Sequence, residues 1–345
     1  MRALAVLAVL TSTALLAGCS AQAASVIEPA AGTVPTAAVS VVPRASPSPS
    51  PAPVSVDPLT GRSPAPGGAV VGIKIDNSPL ARPFHRGLGH AAILYQEMVE
   101  GGSSRFFAVF TAATDTEVGP IRSLREPDVE LAQQFGRIAL AASGANTGVL
   151  GTVARADRDG LLFAAHLDAV PAAYRRGERR ADAINYFTSP QKIDQARPGG
   201  SPVQDVGLRF GPVPGGATPA ARTSVRMSQI TKIDMAYDSA SGTYAVFQDG
   251  DRMNGFAPTN VIVQSVRIRD SRYVDVLGNP TPYTETVGTG AATLLRDGVL
   301  ATGTWSRPEP QSGTRFLDAA GSDLGLRPGP TLVLMVPAGR SVAVG

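Results

Sequence analysis

The chain has 345 residues, with 31 lysines and arginines against 28 aspartates and glutamates, giving a formal net charge of +3. So mild a balance excludes the concentrated basic charge of a nucleic-acid-binding protein. One cysteine excludes an internal disulfide framework, and three histidines, His85, His90 and His166, without metal-site spacing give no reason to expect a metal or a cofactor.

The N-terminal segment begins with Arg2 and continues as an apolar stretch, Ala3 to Leu16, too short to span a bilayer. It ends in Leu15-Leu16-Ala17-Gly18-Cys19, which resembles a lipobox. That resemblance implies a diacylglyceryl group on the Cys19 sulfur, removal of residues 1–18 as a signal peptide, and anchoring at the extracytoplasmic face of the cell membrane. Lipidation also accounts for an unpaired cysteine in an exported chain. Residues 19–68 contain no aromatic side chain and are rich in Ala, Ser and Pro. The run Ser46-Pro47-Ser48-Pro49-Ser50-Pro51 favours an extended, coreless tether.

From Ala69 onward the chain is long enough for a large core, and two domains are expected. Residues 69–200 read as an N-terminal α/β domain, 201–222 as a Pro/Gly-rich linker and 223–340 as a smaller β-rich domain, an α+β fold as a whole. Ala69 to Ile75 reads as a strand ended by Asp76-Asn77-Ser78-Pro79. Ala91–Val99 and Arg105–Phe110 are two apolar runs separated by Glu100-Gly101-Gly102-Ser103-Ser104, which suggests a hairpin. Pro127 suits the first turn of a helix from about Asp128 to Phe135. Ile138–Ala142 reads as a buried strand, and Ser143-Gly144-Ala145-Asn146-Thr147-Gly148 as the entrance to a second helix, a turn that is usually a cap and sometimes an anion site. Beyond residue 222 the pattern is β: hairpins over 237–247 and 291–305, the latter turning at Asp297-Gly298, and strands over 260–268 and 331–336. Trp305 reads as core, with stacking on a sugar as the alternative.

Several phrases occur in a fixed order: Val71-Gly72-Ile73-Lys74-Ile75-Asp76-Asn77, Arg82-Pro83, Val99-Glu100-Gly101-Gly102, Ser104-Arg105-Phe106 and Gly119-Pro120-Ile121-Arg122-Ser123-Leu124-Arg125. With Asn260-Val261-Ile262-Val263, Gly303-Thr304-Trp305 and Phe316-Leu317-Asp318 further on, the chain resembles the YerB-like lipoprotein family, a domain of unknown function. The resemblance implies a lipoprotein with an N-terminal α/β domain, a β-rich C-terminal domain and no assigned chemistry. This chain departs from the family at Ala92 and Gln96, where carboxylates are expected, and at Leu332, where a Trp is expected.

The candidate ligand-binding residues are Asp76, Asn77, Arg82, Glu100, Ser104, Arg105, Arg122, Ser123 and Arg125, all at strand ends or turns. Arg122 and Arg125 can present guanidinium forks to a phosphate or carboxylate. Only Lys74, Lys192 and Lys232 are lysines, so arginine abundance alone says little. The competing reading pairs Asp76 with Arg82, and Glu100 with Arg105 or Arg122, in structural salt bridges. The function expected is that of a ligand-binding or scaffold component of the cell envelope, toward a cell-wall polymer, an anionic ligand or an envelope protein. The alternative is an envelope hydrolase or transferase using Asp76 or Glu100. No catalytic residue is assigned.

Overall fold

The computed structural model describes residues 55–177, 185–275 and 278–345. The signal segment, Cys19, most of the tether and Glu178-Arg179-Arg180 lie outside the described residues. The first half contributes β1 (Val70–Asp76), β2 (Ile93–Met98), β3 (Ser104–Thr111), α1 (Glu126–Ala132), β4 (Ala139–Ala141), α2 (Thr147–Arg158), β5 (Phe163–Ala164), β6 (Arg175–Arg176), β7 (Tyr186–Phe187) and α3 (Pro190–Ala196). The second half contributes β8 (Thr218–Pro219), β9 (Arg222–Arg226), β10 (Lys232–Asp238), β11 (Thr243–Gln248), β12 (Asp251–Arg252), β13 (Asn260–Val266), β14 (Ile268–Val274), β15 (Pro280–Thr284), β16 (Gly288–Arg296), β17 (Val299–Arg307), β18 (Arg315–Leu317), β19 (Thr331–Pro337) and β20 (Ala343–Val344). The fold is therefore α+β with strands dominating, as expected in class but with less helix.

One large sheet runs in the order β18, β17, β16, β13, β19, β2, β3, β1, β4, β5, with β8 beside β17. Its two central strands of the second half, β13 and β19, are parallel to each other, and β19 is parallel to β2. β3 is antiparallel to both β2 and β1, and β4 and β5 run parallel to β1. The apolar runs are continuous because both faces of this sheet are covered. On one face Ile73, Ile75, Phe106 and Phe110 pack with Ile233, Met235 and Val246 of the five-stranded sheet formed by β12, β11, β10, β9 and β20. On the other, Tyr95, Phe107 and Val109 pack with Phe135, Val149 and Val153 from the helical layer of α1 and α2.

The large sheet does not stop at the expected linker but crosses from one half of the chain to the other at the β19–β2 pair, Leu332 beside Leu94. The reason is that β2 offers an apolar edge that only a later strand fills. The expected linker is packed as well: Val206 and Leu208 are buried, and the Leu326 N–H donates to the Arg209 carbonyl at 2.8 Å. The end of the expected tether also belongs to the fold, since Leu59 is fully buried and the Gly329 N–H donates to the Thr60 carbonyl at 2.7 Å.

The hairpin of β14 and β15 leaves the sheet as an arm and lies along α1. Ser271 donates to Glu126 at 2.6 Å, and Thr286 and Tyr283 donate to Glu130 at 2.6 and 3.1 Å. The fully buried Arg307 ties the base of this arm to α1, donating to the Glu130 carbonyl at 2.7 Å and the Ser312 carbonyl at 3.1 Å. Asp297 and Gly298 both have positive φ, 52° and 73°, which fits the twist of the tight β16–β17 hairpin turn they form.

Two glycines test this packing. A Cβ on Gly303 would collide with the backbone carbonyl of Leu317 across the β17–β18 pair, whereas one on Gly151 in α2 meets open space. Gly303→Ala is expected to cost about 1–3 kcal/mol, and Gly151→Ala to be neutral or stabilising by up to about 1 kcal/mol; urea unfolding of the two variants checks both.

Candidate functional site

The site begins where β1 and β4, parallel neighbours through Ile73 and Ala141, part company at their carboxyl ends. The segment 119–125 enters this gap. The Arg122 N–H donates to the Lys74 carbonyl at 2.9 Å, and the Arg122 carbonyl accepts from the Ser143 N–H at 3.1 Å. A crevice at the carboxyl ends of parallel strands is a recurring place for ligands, because loops there diverge and leave backbone and side-chain groups exposed. Here it forms a cavity of about 370 Å³, within the size range of small-molecule sites.

Three guanidinium groups, Arg105, Arg122 and Arg125, line it together with Glu100 and Ser123. Leu124, Ala145 and Val149 supply an aliphatic wall, and Val274, Asp275 and Thr281 of the arm close the far side. Arg105 stands on β3 with Asp76 of β1 and Glu97 of β2 as its cross-strand neighbours. It is nearly buried and donates from Nη1 to the Ser123 carbonyl at 2.9 Å. Arg122 touches Asp76 only through Nε, at 3.2 Å and outside good hydrogen-bond alignment. Arg125 is the committed member: it binds Glu100 at 2.5 Å, and Glu100 also accepts from Thr281 at 2.7 Å. Burial works to raise the Glu100 carboxyl, but these hydrogen bonds hold it below the ordinary range. Burial and the neighbouring charges of Arg125 and Arg122 press the Arg105 guanidinium down to about 9, against the pull of Asp76 and Glu100.

The nine residues expected to form one cluster thus separate. Glu100, Arg105, Arg122, Ser123 and Arg125 line the cavity, with Asp76 behind Arg122. Asn77, Ser104 and Arg82 belong elsewhere. Asn77 donates to Ser104 and to Gln248 of β11, at 3.0 and 2.7 Å. Arg82 donates to the Gln248 carbonyl at 2.7 Å and approaches Asp249 and Asp251. These three fasten the five-stranded sheet to the large one. The strand pleat explains the division, since Ser104 and Arg105 necessarily point to opposite faces. Gln96 joins the Asn77 group, bonding Ser104 and Gln248, so the carboxylate missing at that position is not a cavity group. The expected pairs are also exchanged: Asp76 meets Arg122, not Arg82, and Glu100 meets Arg125, not Arg105 or Arg122. At the α2 entrance the Asn146 side chain accepts from the Gly148 N–H at 2.8 Å, so that turn is a cap. Trp305 is core, its Nε1 donating to the Ser265 carbonyl at 2.7 Å.

Directly behind the cavity lies a group that reading the strands as apolar runs passes over. Lys74 of β1, fully buried, is bonded to Glu97 of β2 and, at 2.7 Å, to Asp128 of α1. Asp128 also accepts from the Arg125 N–H at 2.6 Å, capping α1 and seating Arg125. One ammonium serves two buried carboxylates, and Glu97 Oε2 has no hydrogen-bond partner. Burial, followed by the charge of Asp128, pushes Glu97 up to about 7, with Lys74 pulling the other way. The signal in the sequence is a lysine and a glutamate inside two strands that are mostly apolar, each at a position whose parity matches Arg105.

With the geometry established, similarity to known proteins places the chain. A model of the N-terminal domain of the protein family of unknown function DUF3048 matches residues 59–201, and a model of its C-terminal domain matches residues 223–333. The chain belongs to the DUF3048 family. A protein of Bacillus subtilis named "Putative lipoprotein YerB" is 40% identical over 68 residues, which is 20% of this chain and 20% of that protein. The crystal structure of the YerB protein from Bacillus subtilis superposes with a TM-score of 0.66 at 20% identity, covering 83% of this chain and 98% of that one. At that identity the likeness speaks to the fold. In this DUF3048 chain both matched regions build the cavity, the first supplying the arginines and the second the arm.

Lys74 gives the site its clearest test. Its removal strands two buried carboxylates, so Lys74→Met is expected to lower stability by about 3–5 kcal/mol at pH 8. Because the folded-state Glu97 sits above its unfolded value, it binds a proton more tightly when folded. Its contribution therefore favours folding as pH falls from about 7 towards 4.5. The loss should shrink at pH 5. Urea unfolding of both proteins at the two pH values measures this, and an equal loss at each would contradict the charge arrangement.

Proposed function

We propose that this chain is a lipid-anchored binding protein of the extracytoplasmic membrane face, and that its cavity takes a small anion carrying an aliphatic body. The observation that carries the ligand is the state of Arg105 and Arg122. Among the described residues, neither terminal nitrogen of Arg122 donates to a protein acceptor, and Arg105 spends a single donor on Ser123. Guanidinium forks of this kind match carboxylate and phosphate oxygens. Burial, and after it the charges of Arg125 and Arg122, press Arg105 down; a bound anion offsets both, and Leu124, Ala145 and Val149 suit an apolar remainder. An anionic fragment of a cell-wall polymer is one ligand of this chemistry within reach of a tethered protein. Of the groups a hydrolase or transferase would use, Glu100 is held by Arg125 and Thr281, and Asp76 accepts from the Ser78 N–H at 3.0 Å beside Arg122, which counts against either as a free acid or base.

The anchor rests on the Leu-Ala-Gly-Cys run ending at Cys19 and on the similarity to a protein that carries the lipoprotein name. Among the described residues no helix is long and apolar enough to cross a membrane. Two acyl chains on one cysteine suffice for stable attachment. Cys19→Ala should therefore leave the membrane fraction on cell fractionation, and retention there would overturn lipidation at this residue.

For the ligand, calorimetric titration of the full chain in detergent with sulfate and with short-chain carboxylates should give saturable binding. Arg122→Ala should weaken it by about 2 kcal/mol, roughly thirtyfold. Absence of binding to every anion, or an unchanged affinity in the variant, would refute the assignment.

A further inference from the structure

We propose that the cavity takes up its anion together with a proton, held by the buried carboxyl pair Glu97 and Asp128 behind the arginines. The inference rests on the anion-binding reading above and deepens it by assigning a linked proton site. Its basis is geometric. Among the described residues Lys74 is the one cation bonded to the two fully buried carboxylates, and Glu97 Oε2 lies buried without a hydrogen-bond partner, where a proton would remove an uncompensated charge. This pair is wired to the cavity on two sides. Glu97 is the cross-strand neighbour of Arg105, and Asp128 bonds the backbone of Arg125.

The groups facing Glu97 are few. β1 presents Lys74, β3 presents Arg105, and α1 with its cap presents Asp128 and Arg125. β19, on the other side of β2, contributes no titratable side chain. From β15, Tyr283 is bonded to Glu130. Each negative charge held on the Glu97–Asp128 pair offsets the field of the three arginines. Protonation therefore strengthens anion binding, and by reciprocity a bound anion raises proton affinity. Burial and the Asp128 charge already hold Glu97 near neutrality, where such exchange is sensitive.

The test uses sulfate, whose own charge is constant between about pH 5.5 and 8.5, and the full chain in detergent. Titrations near pH 7 in buffers of different ionisation enthalpy count the protons exchanged. The expected result is uptake of a fraction of a proton per sulfate, with affinity about tenfold higher at the acid end of the range. Glu97→Gln should hold the affinity at its acid value throughout and abolish the uptake. His85→Gln removes the imidazole that bonds the Asp76 carbonyl and should leave the pH dependence intact. Sulfate binding with no proton uptake and no pH dependence would overturn the proposal while leaving the anion site standing, as would dependence that survives in Glu97→Gln. The proton count on the unsubstituted chain decides the matter even if that variant fails to fold. Absence of sulfate binding at every pH would overturn both readings.

Discussion

The ammonium of Lys74 has to be satisfied in a place without water, and much of the molecule is arranged around that requirement. It projects from a central strand into the layer beneath α1, where an unpaired charge would cost several kcal/mol. Glu97 answers from the next strand but one and Asp128 from the helix, so the ion group joins sheet to helix as well as strand to strand. Asp128 then does a second job, since its other oxygen receives the N–H of Arg125 and fixes the residue that grips Glu100. The position of the cavity wall is thus inherited from a buried charge balance, one bond removed.

A second organising feature is the arm of β14 and β15. Its contacts are largely to carboxylates of the first half: Glu126 and Glu130 on one face of α1, and Glu100 at the cavity. Spaced four apart, Glu126 and Glu130 share one side of the helix and present a short acidic rail to the hydroxyl groups of the arm. The cavity therefore has one wall from each half of the chain. This gives a physical reason for the two matched regions to lie within one compact unit.

Much of the local structure was readable from the residues. The β-branched run at 70–76, the glycine pair between β2 and β3, Pro127 at the start of α1 and Asp297-Gly298 all act through short-range backbone preferences, and the elements lie where those preferences put them. The loop arginines were also visible, because Arg122 and Arg125 flank a turn at a strand end. Their partners were not. Asp76 and Arg82 are six residues apart, yet the pairing goes to Arg122, since the inserted segment brings that residue alongside β1. Parity would have separated Asn77 and Ser104 from Arg105 had the pleat been applied to each candidate, and it would have drawn Lys74 and Glu97 in. The arm and the packing of residues 201–222 depend on pairings across long separations, which no local pattern encodes.

The place of β19 has a consequence for how the chain is made. The strand that pairs with β2, the second strand of the fold, begins at Thr331, close to the end of the sequence. Until that segment is available the edge of β2 stays open, and the sheet remains in two unjoined parts. Closing so wide a loop is slow compared with forming hairpins or helices. The two parts of the sheet can each form hairpins early, but they are joined only once residues 331–337 have been made and have paired on both sides, with β13 and with β2.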